Sequence, residues 1–134
     1  MLNQLSVFIE NNPGSLKSVI DIFSKGGIDI TALSLADTRD YGILRLIVDD
    51  EKKAVSLAWE AGIAVSLTPV VVAAMSNTPG GLAALLDIIH PENIDIEYMY
   101  AFFGKADGRA WSVLRTSDNT RAEQILRQKG ITLL

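Results

Sequence analysis

Two short segments combine residue types that could hold a small anion. They are Asn11-Asn12-Pro13-Gly14-Ser15-Leu16 and, 66 residues later, Asn77-Thr78-Pro79-Gly80-Gly81-Leu82. Each stands between an alternating apolar stretch and a run with apolar residues at helical spacing, which places it at a helix start. There the first backbone amides lack intrahelical acceptors and the helix dipole favours negative charge. Gly14 and Gly80 free the backbone for close approach to a ligand. Asn11 and Asn77 offer both a carbonyl and an amide, so either can grip a carboxylate or an ammonium. The α-carboxylate of an amino acid suits such a place. The same residues also make a plain turn, with Pro-Gly shaping the helix start and Asn stabilising it. Repetition does not decide between these readings, because a duplication copies turns as readily as sites.

Other chemistries find little support. The single histidine, His90, stands beside Pro91 at an expected helix end, and no Ser-His-Asp or Cys-His set can be assembled. There is no cysteine, so disulfides and thiolate metal sites are excluded. No phosphate-binding glycine loop or dinucleotide fingerprint is present. The acidic run Asp49-Asp50-Glu51 is explained by its place at a helix start. Arg39, Arg45, Arg109 and Arg115 are spread through the hairpins and form no stripe. A net charge of -4 disfavours nucleic acid and anionic membranes as partners. Neither a signal peptide nor a membrane span is expected, and a reducing cytoplasm fits the composition. The residues therefore predict no enzyme, no cofactor and no metal.

The elements that would position the two segments are themselves repeated. Residues 11–33 and 77–99 share nine identities without a gap, including Ile28-Asp29-Ile30 against Ile94-Asp95-Ile96. Farther on the offset becomes 68, pairing Leu57, Ala58, Gly62 and Ile63 with Ile125, Leu126, Gly130 and Ile131. Two extra residues must sit in the second copy, most simply in a hairpin loop near Gly104 to Gly108. Leu5, Val7 and Ile9 alternate as in a half-buried strand, and Leu16, Val19, Ile20 and Phe23 recur at helical spacing. Leu82, Leu85, Leu86 and Ile89 repeat those steps. Gly26-Gly27 closes the first helix and His90-Pro91 the second. Ile28–Ala36 and Ile43–Val48 read as two hairpin strands around Asp40-Tyr41-Gly42. A second helix buries Ala54, Leu57, Ala58 and Ala61, and short strands follow at Ile63–Thr68 and Ile131–Leu134. This predicts an α+β chain of two ferredoxin-like βαββαβ units, 1–68 and 69–134, each an antiparallel sheet with helices on one face. With only Pro69 between them, the copies are expected to pack as one body.

A βαββαβ unit with Asn-x-Pro-Gly-x-Leu opening helix 1, followed by Gly27-Ile28-Asp29-Ile30 or Asn93-Ile94-Asp95-Ile96, resembles the ACT domain. The resemblance covers essentially the whole chain. It implies a regulatory protein that binds an amino acid where paired domains meet, the loop before helix 1 facing the start of strand 2 of a partner domain. Carried over, Asn11, Pro13, Gly14, Ser15 and Leu16, with Asn77, Pro79, Gly80, Gly81 and Leu82, are the loop contacts. Asp29 and Asp95 are the strand contacts, suited as carboxylates to the ligand's ammonium. The resemblance further implies action in trans on an amino-acid biosynthetic enzyme.

Tyr98, Tyr100 and Phe102 replace Ala32, Ser34 and Ala36 along strand 2 and fall on one face. They suit a packing or dimer surface, or a pocket wall, so the copies are not expected to be equivalent. Trp59 and Trp111 are expected to be packing residues. With unpaired strand edges the aromatic face favours a homodimer. The alternative to a sensor is a ligand-free interaction module with the same fold.

Overall fold

The structure is a computed structural model and describes residues 1–38, 40–104 and 108–134. Arg39 and most of the Gly104–Gly108 loop expected to hold the insertion lie outside the described residues. The chain divides into two compact units, one of Asn3–Thr68 and one of Pro69–Leu134 together with Met1 and Leu2. The described residues form six antiparallel strands and four helices.

In the N-terminal unit β1 (Leu2–Glu10) is followed by α1 (Ser15–Lys25), β2 (Ile30–Asp37), β3 (Tyr41–Val48) and α2 (Glu51–Glu60). The strand β3 lies between β1 and β2, with Leu5 opposite Leu46, Ile9 opposite Gly42 and Asp37 opposite Gly42. One sheet face presents Leu5, Val7, Ile9, Leu44 and Leu46 to Val19 and Phe23 of α1 and to Ala54 and Ala58 of α2. Phe23 is fully buried, and truncating such a side chain costs about 3–5 kcal/mol. Glycine is needed after α1, where Gly27 takes φ +75°.

The strand β4 (Val65–Met75) starts as the last strand of the N-terminal unit and from Pro69 onward is the first of the C-terminal unit, which repeats the plan with α3 (Gly81–Ile89), β5 (Ile96–Phe103), β6 (Ala110–Thr116) and α4 (Asn119–Gln128). Its core joins Val71, Ala73 and Leu114 to Leu85, Ile89 and Leu126. Core volumes trade off between the copies. Phe23 becomes Ile89 while Ala58 becomes Leu126, and Val7 becomes Ala73 while Val19 becomes Leu85. In each of these pairs a loss of bulk at one position is set against a gain at the other, as cores tolerate. Phe103 pairs with Ala110 as Asp37 pairs with Gly42, so the two extra residues fall between positions 103 and 110.

Some expectations need correction. The strand at Ile63–Thr68 does not stop at Pro69 but runs on as β4 to Met75. The last strand shrinks to a bridge between Ala73 and Leu133, flanked by hydrogen bonds that the Ala74 amide donates to the Thr132 carbonyl and the Leu134 amide to the Val72 carbonyl. Trp111 is buried and stacks on Phe102, but Trp59 is 74% exposed on the outer side of α2 and packs on no core. Ala61 is exposed, since α2 ends one residue before it. No described helix is long and apolar enough to cross a membrane.

Candidate functional site

Each unit opens a cleft beside its Asn-x-Pro-Gly loop. In the antiparallel hairpins the C-terminal ends of β1 and β2 flank the start of β3, so the loop after β1 lies beside the end of β2. The first cleft, about 260 Å³, is lined by Ile9 to Asn12, Ser15 and Leu16 on one side and by Leu35 to Asp37 and Gly42 on the other. The second, about 370 Å³, is lined by Met75 to Pro79 and Leu82, facing Ala101, Phe103 and Ala110. Position for position these are the same place in the two copies. Leu16 and Leu82 were expected in the helix stripes but are 37% and 42% exposed, because they form cleft walls.

The helix starts at the two clefts are open in the same way. Gly14 and Gly80 are the N-caps, with φ +86° and +87°, and neither α1 nor α3 carries a side-chain cap. Asn12 and Thr78 carbonyls accept from Ser15 and Gly81, and Gly14 and Gly80 carbonyls accept from Ser18 and Ala84. The amides between, at Leu16 and Lys17 and at Leu82 and Ala83, have no acceptor within the helix. By contrast α2 and α4 are capped by Asp50 and Asp118, which accept from Lys53 N at 3.0 Å and Arg121 N at 2.9 Å. The helix starts without caps are thus the ones that lie at clefts.

The electrostatics of the clefts differ. In the first, Asn11 Nδ2 donates to Asp37 Oδ1 and Asn12 Nδ2 donates to Glu10 Oε2, both at 2.8 Å. Two carboxylates therefore stand in its wall. In the second, Ser76 and Phe103 occupy the equivalent positions, and Ser76 Oγ lies 2.6 Å from Thr78 Oγ1. No group of three or more potential metal ligands occurs among the described residues.

The ACT domain pair family matches residues 1–133. This chain belongs to that family. The ACT pair is similar over 98% of its length to protein BT0572 from Bacteroides thetaiotaomicron, at 38% identity and a TM-score of 0.91, covering 90% of that protein. It shares its fold with the ligand-free regulatory subunit of aspartate kinase from Thermus thermophilus (15% identity, TM-score 0.65, covering 94% of this chain and 90% of that one). The regulatory subunit of aspartate kinase from Thermus flavus is alike in fold to a similar degree (15% identity, TM-score 0.62, 96% and 93% covered). No protein of curated function matches the chain.

Within the ACT pair the residues singled out from sequence separate into groups. Asn11, Ser15 and Leu16 line the first cleft, and Asn77, Pro79 and Leu82 the second. Pro13, Gly14 and Gly80 shape the turns. Gly81 is buried, and a Cβ there would lie 1.9 Å from the Ser76 carbonyl oxygen, so it serves close packing of the loop on the helix. Asp29 and Asp95 lie at the other end of their sheets. The Asp29 amide donates to Asp49 Oδ1 at 3.0 Å, and the Asp95 amide donates to Ser117 Oγ at 3.1 Å. Both side chains are exposed. Within a unit they do not meet the Asn loop. Sequence reasoning missed Glu10 and Asp37, with their counterparts Ser76 and Phe103. The signal was the strand order, which puts the end of β2 beside the loop.

Proposed function

We propose that this ACT pair is a regulatory protein that binds an amino acid at an Asn-x-Pro-Gly cleft and passes its binding state to an enzyme of amino-acid metabolism in trans. The observation that carries the reading is the coincidence of an uncapped helix start with a cleft, twice, in a chain whose other two helices are capped. The second cleft falls within the usual volume of small-molecule sites, about 300–1,000 Å³. A ligand carboxylate would accept from the free amides of the first turn, with the helix dipole behind them. Asp29 and Asp95, carried over from the family resemblance, would take the ammonium only from a second domain, and a homodimer is one source of it. The shared fold with regulatory subunits of aspartate kinase supports a role on a separate enzyme, although a fold by itself assigns no function.

Thermal unfolding of the full chain against each of the twenty amino acids tests this. A ligand at 100 times its dissociation constant adds about 2.7 kcal/mol to stability. Loss of that shift in Asn77→Ala would support the cleft as its origin. If no amino acid raises the unfolding temperature, the sensor reading fails and a ligand-free interaction module takes its place.

A further inference from the structure

We infer that the two clefts have diverged, so that the second takes a carboxylate-bearing ligand with an uncharged side chain and the first does not. The inference rests on the amino-acid reading above and goes beyond it by assigning the cleft and the ligand class. Four replacements between equivalent positions carry it. Ser76 and Phe103 stand where the first cleft has Glu10 and Asp37, which removes both carboxylates from the wall. A ligand carboxylate in the first cleft would face two like charges, and like-charge juxtaposition is strongly disfavoured at recognition surfaces. Asn11 is also occupied by Asp37 at 2.8 Å, whereas the residue facing Asn77 is Phe103, which can accept no hydrogen bond.

Of the other two replacements, one lies in the floor and one beneath it. Ala101 stands for Leu35, and Ser112 for Leu44, opposite it in the sheet register. Less bulk goes with the larger volume of the second cleft, about 370 against 260 Å³. Ser112 is fully buried, and its Oγ has no hydrogen-bond partner. By strand alternation it shares the sheet face of Ala110, and it pairs with Ala101, both of which line the second cleft. Buried hydroxyls are nearly always satisfied. Behind the second cleft the sheet therefore holds a hydroxyl with no partner among the described residues, where the first has leucine. Among the described residues the walls offer Met75, Leu82 and Phe103 to the ligand's side chain and no charge to pair with a cationic or anionic one.

Calorimetric titration of the full chain, with each amino acid as probe in turn, tests the assignment. One site per chain for a neutral amino acid is expected. Ser76→Glu with Phe103→Asp should weaken that binding at least tenfold, while Glu10→Ser with Asp37→Phe leaves it unchanged. All four positions are exposed, so the variants should fold, and circular dichroism would confirm it. Ala101→Leu, also at an exposed position, should abolish binding by refilling the floor. Binding that survives the first double variant, or is lost in the second, overturns the assignment while leaving an amino-acid binder. A chain that binds only lysine or arginine does the same. A chain that binds none of the twenty removes the underlying reading as well.

Discussion

A single methyl group added at Gly81 should destabilise the chain although alanine is the better helix former. The ideal Cβ at this position falls 1.9 Å from the Ser76 carbonyl oxygen and 2.9 Å from its carbonyl carbon. Both atoms are backbone, so no rotamer change relieves the overlap. Either the end of β4 or the first turn of α3 must move. Overpacking of this kind costs about 1–3 kcal/mol. Against it stands the helix preference of alanine over glycine, about 1 kcal/mol in a helix interior and less in the first turn. The net expectation for Gly81→Ala is a loss of about 1–2 kcal/mol. In urea this lowers the unfolding midpoint with the slope unchanged. In a thermal scan each kcal/mol is worth about 4–8 °C for a unit of this size. The first unit supplies an internal control, since Ser15 occupies the equivalent position. Ser15→Gly should cost the chain entropy of glycine, about 0.5–1 kcal/mol. If Gly81→Ala unfolds at the same urea concentration as the parent chain or a higher one, the close approach of Ser76 to α3 is wrong, and the shape argued for the second cleft goes with it.

Other expectations follow from the same geometry. Gly14→Ala and Gly80→Ala place a side chain at φ near +86° with no steric neighbour; each should cost about 1–2 kcal/mol from backbone strain alone, read by urea unfolding. Asp118→Ala removes the cap on Arg121 N and should cost about 1 kcal/mol, whereas Asp118→Asn should retain most of it. Burial raises the Glu123 carboxyl, but the hydrogen bond from Arg127 and the ion pair with the N-terminal ammonium outweigh burial and hold it below the ordinary carboxylate range. Its folded pKa is therefore the lower one, so its stabilising effect is present above the unfolded pKa and is lost as pH falls through the folded pKa. Arg127→Gln should flatten that acid limb in unfolding measured from pH 6 to pH 2.

The fold could be read from sequence because its signals were local and occurred twice. Alternation in Leu5-Ser6-Val7-Phe8-Ile9 and helical spacing in Leu82, Leu85, Leu86 and Ile89 each specify an element without tertiary information. The offset between copies then fixes how many elements there are. What was misread depended on packing between elements. Trp59 was expected to be a packing residue, yet α2 buries Ala54 and Ala58 and leaves Trp59 exposed. Pro69 suggested a break, but a proline is tolerated in a strand where its missing N–H is not required, and β4 runs straight through it.

The candidate site was legible in half. The Asn-x-Pro-Gly segments announce themselves because proline and glycine constrain the backbone wherever they occur. The residues facing them carry no such mark, since Asp37 and Phe103 are ordinary strand-end residues whose importance comes from what lies across the hairpin. Comparing the copies position by position restores the missing information. A duplication begins with two identical clefts, so every difference between their walls arose afterwards. Changes that only preserve packing should be compensated, as Phe23 and Ala58 are by Ile89 and Leu126. The change from Leu44 to a buried, unpartnered Ser112 has no such offset in the core. Nor does the loss of both carboxylates from one wall serve packing, because all four positions are exposed. Divergence that strips both carboxylates from one wall and enlarges its cleft gains the fold nothing, and a ligand in that cleft is what would account for it.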